Sequence, residues 1–198
     1  MSSHATIIAG FGGQGLLFAG QVLAQAANRD GLEVSWMPSY GPEMRGGTAS
    51  CTVIVADTPI GSPIVDVSDA VIALNPPSMA KFEPSLAPGG LLVLDTTLIE
   101  AEPRRTDIDL VALPCTAIAR SAGNDRLVSV VALGALVARR PFVEVASVRA
   151  ALADLTGAHH ADLLEADLAA FEAGYTAAQD QIAAPDPLVS GPLSATRG

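Results

Sequence analysis

The sequence predicts an α/β fold with a mainly parallel sheet. An apolar run at residues 6–9 meets a glycine cluster and then helix-forming residues 16–28, the order of a strand, a turn and a helix. Further short apolar runs are bounded by Pro, Gly or Asp, which is typical of buried strands in parallel sheets. These predicted strands cover residues 33–37, 49–56, 70–74, 91–94 and 110–113.

The last third of the chain predicts helices flanking the sheet. Gly123, Pro141 and Gly157 separate four helix-forming stretches. These are residues 116–121, 125–139, 143–155 and 160–181. Residues 1–184 are therefore expected to form a single domain. Residues 185–198 contain three prolines and two glycines without periodicity, and they are expected to form a tail.

Composition excludes several classes of protein. The chain has 198 residues, of which 49% are hydrophobic and 16% charged, so it can bury a substantial core. A net charge of −10 with only 11 basic residues argues against nucleic-acid binding. The sequence predicts neither a membrane-spanning segment nor a secretion signal, which favours a cytoplasmic location.

Cysteine and histidine usage predicts no metal site. Cys51 and Cys115 are too few for a disulfide framework or a four-thiolate site, and each is expected to be a buried, unreactive thiol. His159 and His160 are adjacent at a predicted helix start and point in different directions. No catalytic residue is predicted.

The glycine cluster is the first candidate binding site. Gly10-Phe11-Gly12-Gly13-Gln14-Gly15 matches GxGxxG directly between a strand and a helix. Glycines there allow a tight turn and close approach to a phosphate, which the N–H groups and dipole of the helix N-terminus favour. Gln14 lies among glycines with little to pack against, so we expect it to donate to a phosphate or to a neighbouring chain. An empty, purely structural turn is the alternative.

A nicotinamide-binding domain would also carry an acidic residue at the end of its second strand. The candidate, Glu33, lies at the start of that strand instead. This weakens the interpretation as a nicotinamide-binding domain.

The loop after the second strand is the second candidate. Within residues 38–47, Ser39, Glu43, Arg45 and Gly46 combine a hydroxyl, two charges and a flexible backbone. A loop at the strand ends of an α/β sheet lies near the ligand-binding crevice. Arg45 suits a phosphate because of its planar fork, and an ion pair between Glu43 and Arg45 is the structural alternative.

These two motifs, at this spacing, resemble the gamma subunit of the 2-oxoacid:ferredoxin oxidoreductase family. The resemblance covers roughly residues 5–178 and continues through residues 69–75, 88–95, 132–136 and 170–175. The sequence departs from the family pattern at Ser129 and Asp167, where asparagine is common.

The resemblance implies a Rossmann-like fold and a subunit role. The family converts a 2-oxoacid, coenzyme A and oxidised ferredoxin to an acyl-CoA, carbon dioxide and reduced ferredoxin. Alpha and beta subunits would hold thiamine diphosphate, and a delta subunit or its equivalent would hold iron–sulfur clusters. The gamma chain would share the coenzyme A site near residues 12–15 and Arg45, and would be inactive alone. Whether the isolated chain forms a homodimer stays open.

Two alternatives remain at this point. One is a free-standing oxidoreductase that uses NAD(P) or FAD, and the other is an assembly subunit with no ligand of its own. Three polar residues at strand or helix ends are expected to act as caps: Asn75, Asp95 and Asn124. For Asn75 and Asp95, contact with a ligand or a partner is the alternative role.

Overall fold

The computed structural model describes residues 3–40, 48–157 and 161–183, and the structural statements below refer to these residues. One six-stranded sheet is flanked by helices on both faces. The strands are β1 (Ser3–Phe11), β2 (Glu33–Tyr40), β3 (Thr48–Ala56), β4 (Ser68–Ala73), β5 (Leu86–Asp95) and β6 (Asp109–Leu113). The helices are α1 (Leu16–Arg29), α2 (Pro76–Phe82), α3 (Cys115–Ser121), α4 (Val128–Arg139), α5 (Val145–Thr156) and α6 (Ala161–Ala183).

The strand order in the sheet is β2-β3-β1-β4-β5-β6. The β1–β4, β4–β5 and β5–β6 pairs are parallel, whereas β3 runs antiparallel to both β1 and β2. The predicted mainly parallel α/β sheet is therefore confirmed. Because β3 alone is reversed, β1, β2, β4, β5 and β6 all end at the same edge of the sheet, which we call the carboxyl edge. The opposite edge is the amino edge.

Some of the predicted elements differ from the observed ones. β2 continues through Pro38 to Tyr40 rather than ending at Met37, because an edge strand tolerates a proline that cannot donate to a ladder. The helix predicted from residue 125 begins as a 3₁₀ turn, Asp125–Leu127, before α4. Helix α2 was not predicted, since it is short and begins with two prolines.

The two faces of the sheet are covered unequally. Alternate residues such as Ile8, Val53 and Ile72 pack under α1 and the four C-terminal helices in the larger core. On the other face, Ile7 and Val71 belong to a smaller core beneath α2. The predicted helical C-terminal third therefore covers one face of the sheet.

Helix α4 is buried along residues 128–137 and packs closely against α6. Two glycines lie at the contact. A Cβ atom added to Gly134 would overlap the carbonyl oxygen of Phe171, and one added to Gly174 would overlap the carbonyl oxygen of Val131. The absence of both side chains allows the two backbones to touch.

None of the helices described combines the length and the apolar character that crossing a membrane requires.

Candidate functional site

The glycine turn, residues 10–15, lies at the carboxyl edge. It joins the end of β1 to α1, which packs over β2 and β3, whereas α2 follows β4 on the other face of the sheet. The chain therefore leaves β1 and β4 in opposite directions. In open α/β sheets a crevice forms at such a reversal, outside the carboxyl ends of the strands, and ligands bind there.

The backbone of the glycine turn suits an anion. Gly12 and Gly13 are exposed, and Gly13 and Gly15 have positive φ angles of 99° and 76°. Gly15 caps α1 without any side-chain hydrogen bond, and the first turn of α1 contains no acidic residue. No carboxylate of the first turn of α1 therefore compensates the N–H groups and the positive dipole end of this helix.

Gln14 has hydrogen-bond partners within the chain, which were not predicted from the sequence. Its Oε1 accepts a hydrogen bond from the Phe11 N–H at 2.6 Å, and its Nε2 donates to the Leu74 carbonyl at 3.3 Å. A side chain at Gly10 would collide with Oε1 of Gln14. Gln14 thereby ties the glycine turn to the end of β4, and its contact with a ligand stays a prediction.

Gly15 contacts the start of the α4 region, which sequence reasoning did not predict. A Cβ atom at Gly15 would lie 2.6 Å from the carbonyl oxygen of Arg126 and 2.8 Å from Oγ of Ser129. Ser129 is fully buried, and its hydroxyl has no hydrogen-bond partner among the described residues. The only sequence signal was Gly123-Asn124, which indicated a helix start but not that this helix start lies beside the glycine turn.

Asp167, the second departure from the family pattern, is a structural residue. It is buried on α6, and its Oδ2 accepts a hydrogen bond from Oγ1 of Thr156 at 2.6 Å. Burial raises the pKa of this carboxyl group, while the Thr156 hydrogen bond opposes that shift.

Asn75 at the carboxyl edge acts as a cap. Its Oδ1 accepts the Ser78 N–H at 2.8 Å at the start of α2, while its buried Nδ2 has no described partner.

Asp95 acts as a cap between elements. Its Oδ1 accepts the N–H groups of Thr97 and Thr116, both at 3.1 Å, and Oδ2 accepts the Thr116 hydroxyl at 2.5 Å. Asn124 accepts the Arg126 N–H at 3.0 Å. The predicted capping roles of all three residues are confirmed.

The second predicted loop reaches the same edge. Phe11 pairs with Thr48 and Tyr40 pairs with Ala49, so both ends of the loop lie at the carboxyl edge. Ser39 is on β2, and β3 lies between it and the glycine turn. The two are therefore two strand spacings apart, which is roughly 10 Å. Three of the predicted binding residues lie outside the described residues: Glu43, Arg45 and Gly46.

Both cysteines are buried and poorly reactive. Burial raises the pKa of Cys51 to about 12, and its Sγ contacts the Leu16 carbonyl at 3.4 Å. Burial also raises the pKa of Cys115, and the nearby Asp95 charge adds to the shift. No cluster of three or more potential metal ligands occurs in the described part of the chain. His159 and His160 lie outside it.

The geometry disfavours a nicotinamide site. Glu33 pairs with Ala56 and therefore lies at the amino edge, away from the glycine turn. The neighbour of β1 on that side is the antiparallel β3, and not the parallel second strand whose end holds the ribose in nicotinamide-binding domains.

A cavity of about 440 Å³ lies at the amino edge, beneath the connection between β3 and β4. Its lining residues include Ser3, Ile54, Gly61 and Asp69. It is therefore separate from the glycine turn.

The fold and this turn define an α/β domain with a glycine-rich strand-to-helix turn of the kind that suits an anion. Its fold matches the gamma subunit of a keto/oxoacid ferredoxin oxidoreductase from Geobacter sulfurreducens, with a TM-score of 0.81 and 29% identity over 91% of this chain and 98% of that one. It also matches the structure of a 2-oxoglutarate:ferredoxin oxidoreductase from Magnetococcus marinus with 2-oxoglutarate, coenzyme A and succinyl-CoA bound. The TM-score is 0.82 and the identity 25%, and the match covers 91% of this chain and 32% of that one.

A curated relative is the ketoisovalerate oxidoreductase subunit VorA of Methanothermobacter thermautotrophicus, 44% identical over 131 residues. The match covers 66% of this chain but only 27% of that protein, so the chain spans about a quarter of the relative's length. The chain belongs to the pyruvate ferredoxin/flavodoxin oxidoreductase family, whose sequence profile matches residues 5–177. The resemblance to gamma subunits is thereby confirmed.

Proposed function

We propose that this chain is the gamma-type subunit of a multi-subunit 2-oxoacid:ferredoxin oxidoreductase and supplies a phosphate-binding part of the coenzyme A site. The observation that carries the proposal is the N-terminus of α1 behind the exposed Gly12 and Gly13, which has no side-chain cap and no acidic residue in its first turn. Coenzyme A carries a diphosphate and a 3′-phosphate, and such anions are favoured at a helix N-terminus. The similar Magnetococcus structure has coenzyme A bound, which supports this choice of ligand.

The proposed division of labour assigns the redox chemistry to other chains. Iron–sulfur clusters need several accessible thiolates, whereas Cys51 and Cys115 are buried with raised pKa values. The clusters would belong to a delta-type subunit or domain, thiamine diphosphate would belong to alpha- and beta-type subunits, and ferredoxin would react with the assembled complex. The chain's own part is to bind and orient coenzyme A and to contact its partners.

The residues of the coenzyme A site are proposed as follows. The glycine turn would donate backbone N–H groups to phosphate oxygens, and Gln14 would hold the turn on β4. The loop of Glu43, Arg45 and Gly46, with Ser39, would extend the site across the carboxyl edge toward β2.

The first experiment is purification of the tagged chain from its native host, followed by mass spectrometry of the co-purifying chains and a viologen-linked assay with a panel of 2-oxoacids. Coenzyme A-dependent reduction of viologen by a complex with thiamine- and cluster-binding subunits would support the proposal. A lone chain that binds NAD(P), or a complex whose activity does not depend on coenzyme A, would contradict it.

Replacing Gly12 by aspartate in the assembled complex is expected to raise the KM for coenzyme A about tenfold, because a carboxylate at the turn repels a phosphate and competes for its donors. The KM for the 2-oxoacid should not change. The measurement is steady-state kinetics with coenzyme A as the varied substrate.

The matched control is Gly61→Asp. Gly61 is exposed, no atom lies within 4 Å of an added Cβ, and it lies by the amino-edge cavity. Gly61→Asp adds the same negative charge to the chain as Gly12→Asp, but at the opposite edge of the sheet. It should therefore retain the wild-type KM for coenzyme A. Equal effects of the two variants would mean that the glycine turn is not the phosphate site.

A further inference from the structure

Arg126 is the arginine that the structure places beside the glycine turn. Its carbonyl oxygen would lie 2.6 Å from a Cβ at Gly15, so its backbone packs directly on the start of α1. Its side chain is exposed at the carboxyl edge. Arg126 therefore lies beside the turn at which the phosphate is proposed to bind.

Within the described segments, Arg126 also differs from most other arginines in lacking an ion pair. Most arginines of the described segments form salt bridges with Asp or Glu, namely Arg29, Arg105, Arg120, Arg139, Arg140 and Arg149. Within the same segments Arg104 and Arg126 have no such partner. Arg104 lies elsewhere, where its backbone N–H donates to Glu83 below the end of α2. In a chain with a net charge of −10, an arginine at the glycine turn that has no ion pair within the described segments can bind an external anion.

The groups around Arg126 favour an external anion over a carboxylate of the chain itself. The neighbouring Asp125 pairs with Arg120, with an N–O distance of 3.1 Å, which offsets its negative charge. The hydroxyl of the buried Ser129 has no described partner and lies 2.8 Å from the Cβ position of Gly15, so it is directed at the glycine turn. A polar group is thus held against the turn without an internal acceptor.

We propose that Arg126 binds a phosphate group of coenzyme A together with the N-terminus of α1. This inference rests on the proposed function and adds to it a specific cation, supplied from a segment more than 100 residues away in sequence. The planar guanidinium pairs bidentately with phosphate oxygens, and it supplies the positive charge that backbone N–H groups alone lack.

The test is Arg126→Ala in the complete complex, with Arg104→Ala as the matched control. Both substitutions remove an exposed arginine without an ion pair and leave the backbone hydrogen bonds in place. Arg126→Ala is expected to raise the KM for coenzyme A about tenfold, with kcat and the KM for the 2-oxoacid unchanged. Arg104→Ala should match the wild type, and Arg126→Lys should recover part of the affinity, because lysine keeps the charge and loses the fork.

Dephospho-coenzyme A, which lacks the 3′-phosphate, then shows which phosphate group Arg126 binds. If the penalty of Arg126→Ala disappears with this substrate, Arg126 binds the 3′-phosphate, and if it persists, Arg126 binds the diphosphate. Either result supports the inference.

A KM for coenzyme A within twofold of wild type in Arg126→Ala would overturn the inference, as would loss of co-purifying subunits in that variant, since Arg126 would then be an assembly contact. Neither result would contradict the proposed function as long as the wild-type complex requires coenzyme A. A wild-type complex that does not require it would refute the proposed function itself.

Discussion

Replacing Gly174 by alanine is expected to destabilise the protein by about 3 kcal/mol, even though alanine is the better helix former by about 1 kcal/mol. A methyl group at this position of α6 would overlap the carbonyl oxygen of Val131 on α4. Helix α4 cannot move away cheaply, because it is buried along residues 128–137 and also contacts the sheet. The measurement is chemical denaturation of the purified chain, with the free energy of unfolding taken from the midpoint and slope.

Two further variants test whether the contact between α4 and α6 causes this loss of stability. Gly134→Ala should destabilise the protein similarly, because it produces the matching overlap with the carbonyl oxygen of Phe171. Thr176→Ala, at an exposed position of the same α6, should change the free energy of unfolding by less than about 0.5 kcal/mol. A Gly174→Ala variant as stable as the wild type would show that α4 and α6 separate at little cost.

The second large effect is a loss of stability in acid that depends on His4. This side chain is buried at the start of β1, stacked on Phe142 with a centroid distance of 3.9 Å, and its Nε2 has no described partner. Burial lowers the pKa of His4 from 6.5 to about 4, and the charge of Arg140 contributes to the shift, while Asp69 opposes it.

The direction of the effect follows from proton binding. Between pH 6.5 and about 4 the unfolded chain binds a proton at His4 and the folded chain does not, so stability falls as the pH falls. The loss reaches about 3 kcal/mol by pH 4 and is absent above pH 7.

The variant His4→Phe isolates this contribution. Phenylalanine can keep the ring stacking with Phe142 but does not titrate. The free energy of unfolding of both proteins should be measured by denaturation from pH 7 to pH 4. The two values should diverge by about 3 kcal/mol over this range, with the wild type losing more. Acid-sensitive groups common to both, such as Asp109, whose pKa is lowered by its hydrogen bond with Arg139, cancel in the difference. A constant difference across the range would show that His4 does not titrate abnormally.

Much of the fold was predictable because it is encoded locally. The order of strand, glycine turn and helix follows from residues adjacent in sequence, and so does the cap that Asn75 forms with Ser78 three residues later. The reversed direction of β3 was also within reach of the sequence. Only a few residues separate Tyr40 from Thr48, whereas a parallel pair needs a crossover of about a dozen or more.

The sequence by itself determined the α/β class, the helical C-terminal third and the glycine turn, since each depends on residue patterns within one or two elements. Only the tertiary structure decided that β3 lies between β1 and β2, that Gln14 is bonded to the end of β4, and that Gly15 meets Arg126 and Ser129. The physical reason is that strand pairing and helix packing join residues that are distant in the chain. Local periodicity does not determine which of these distant residues come into contact.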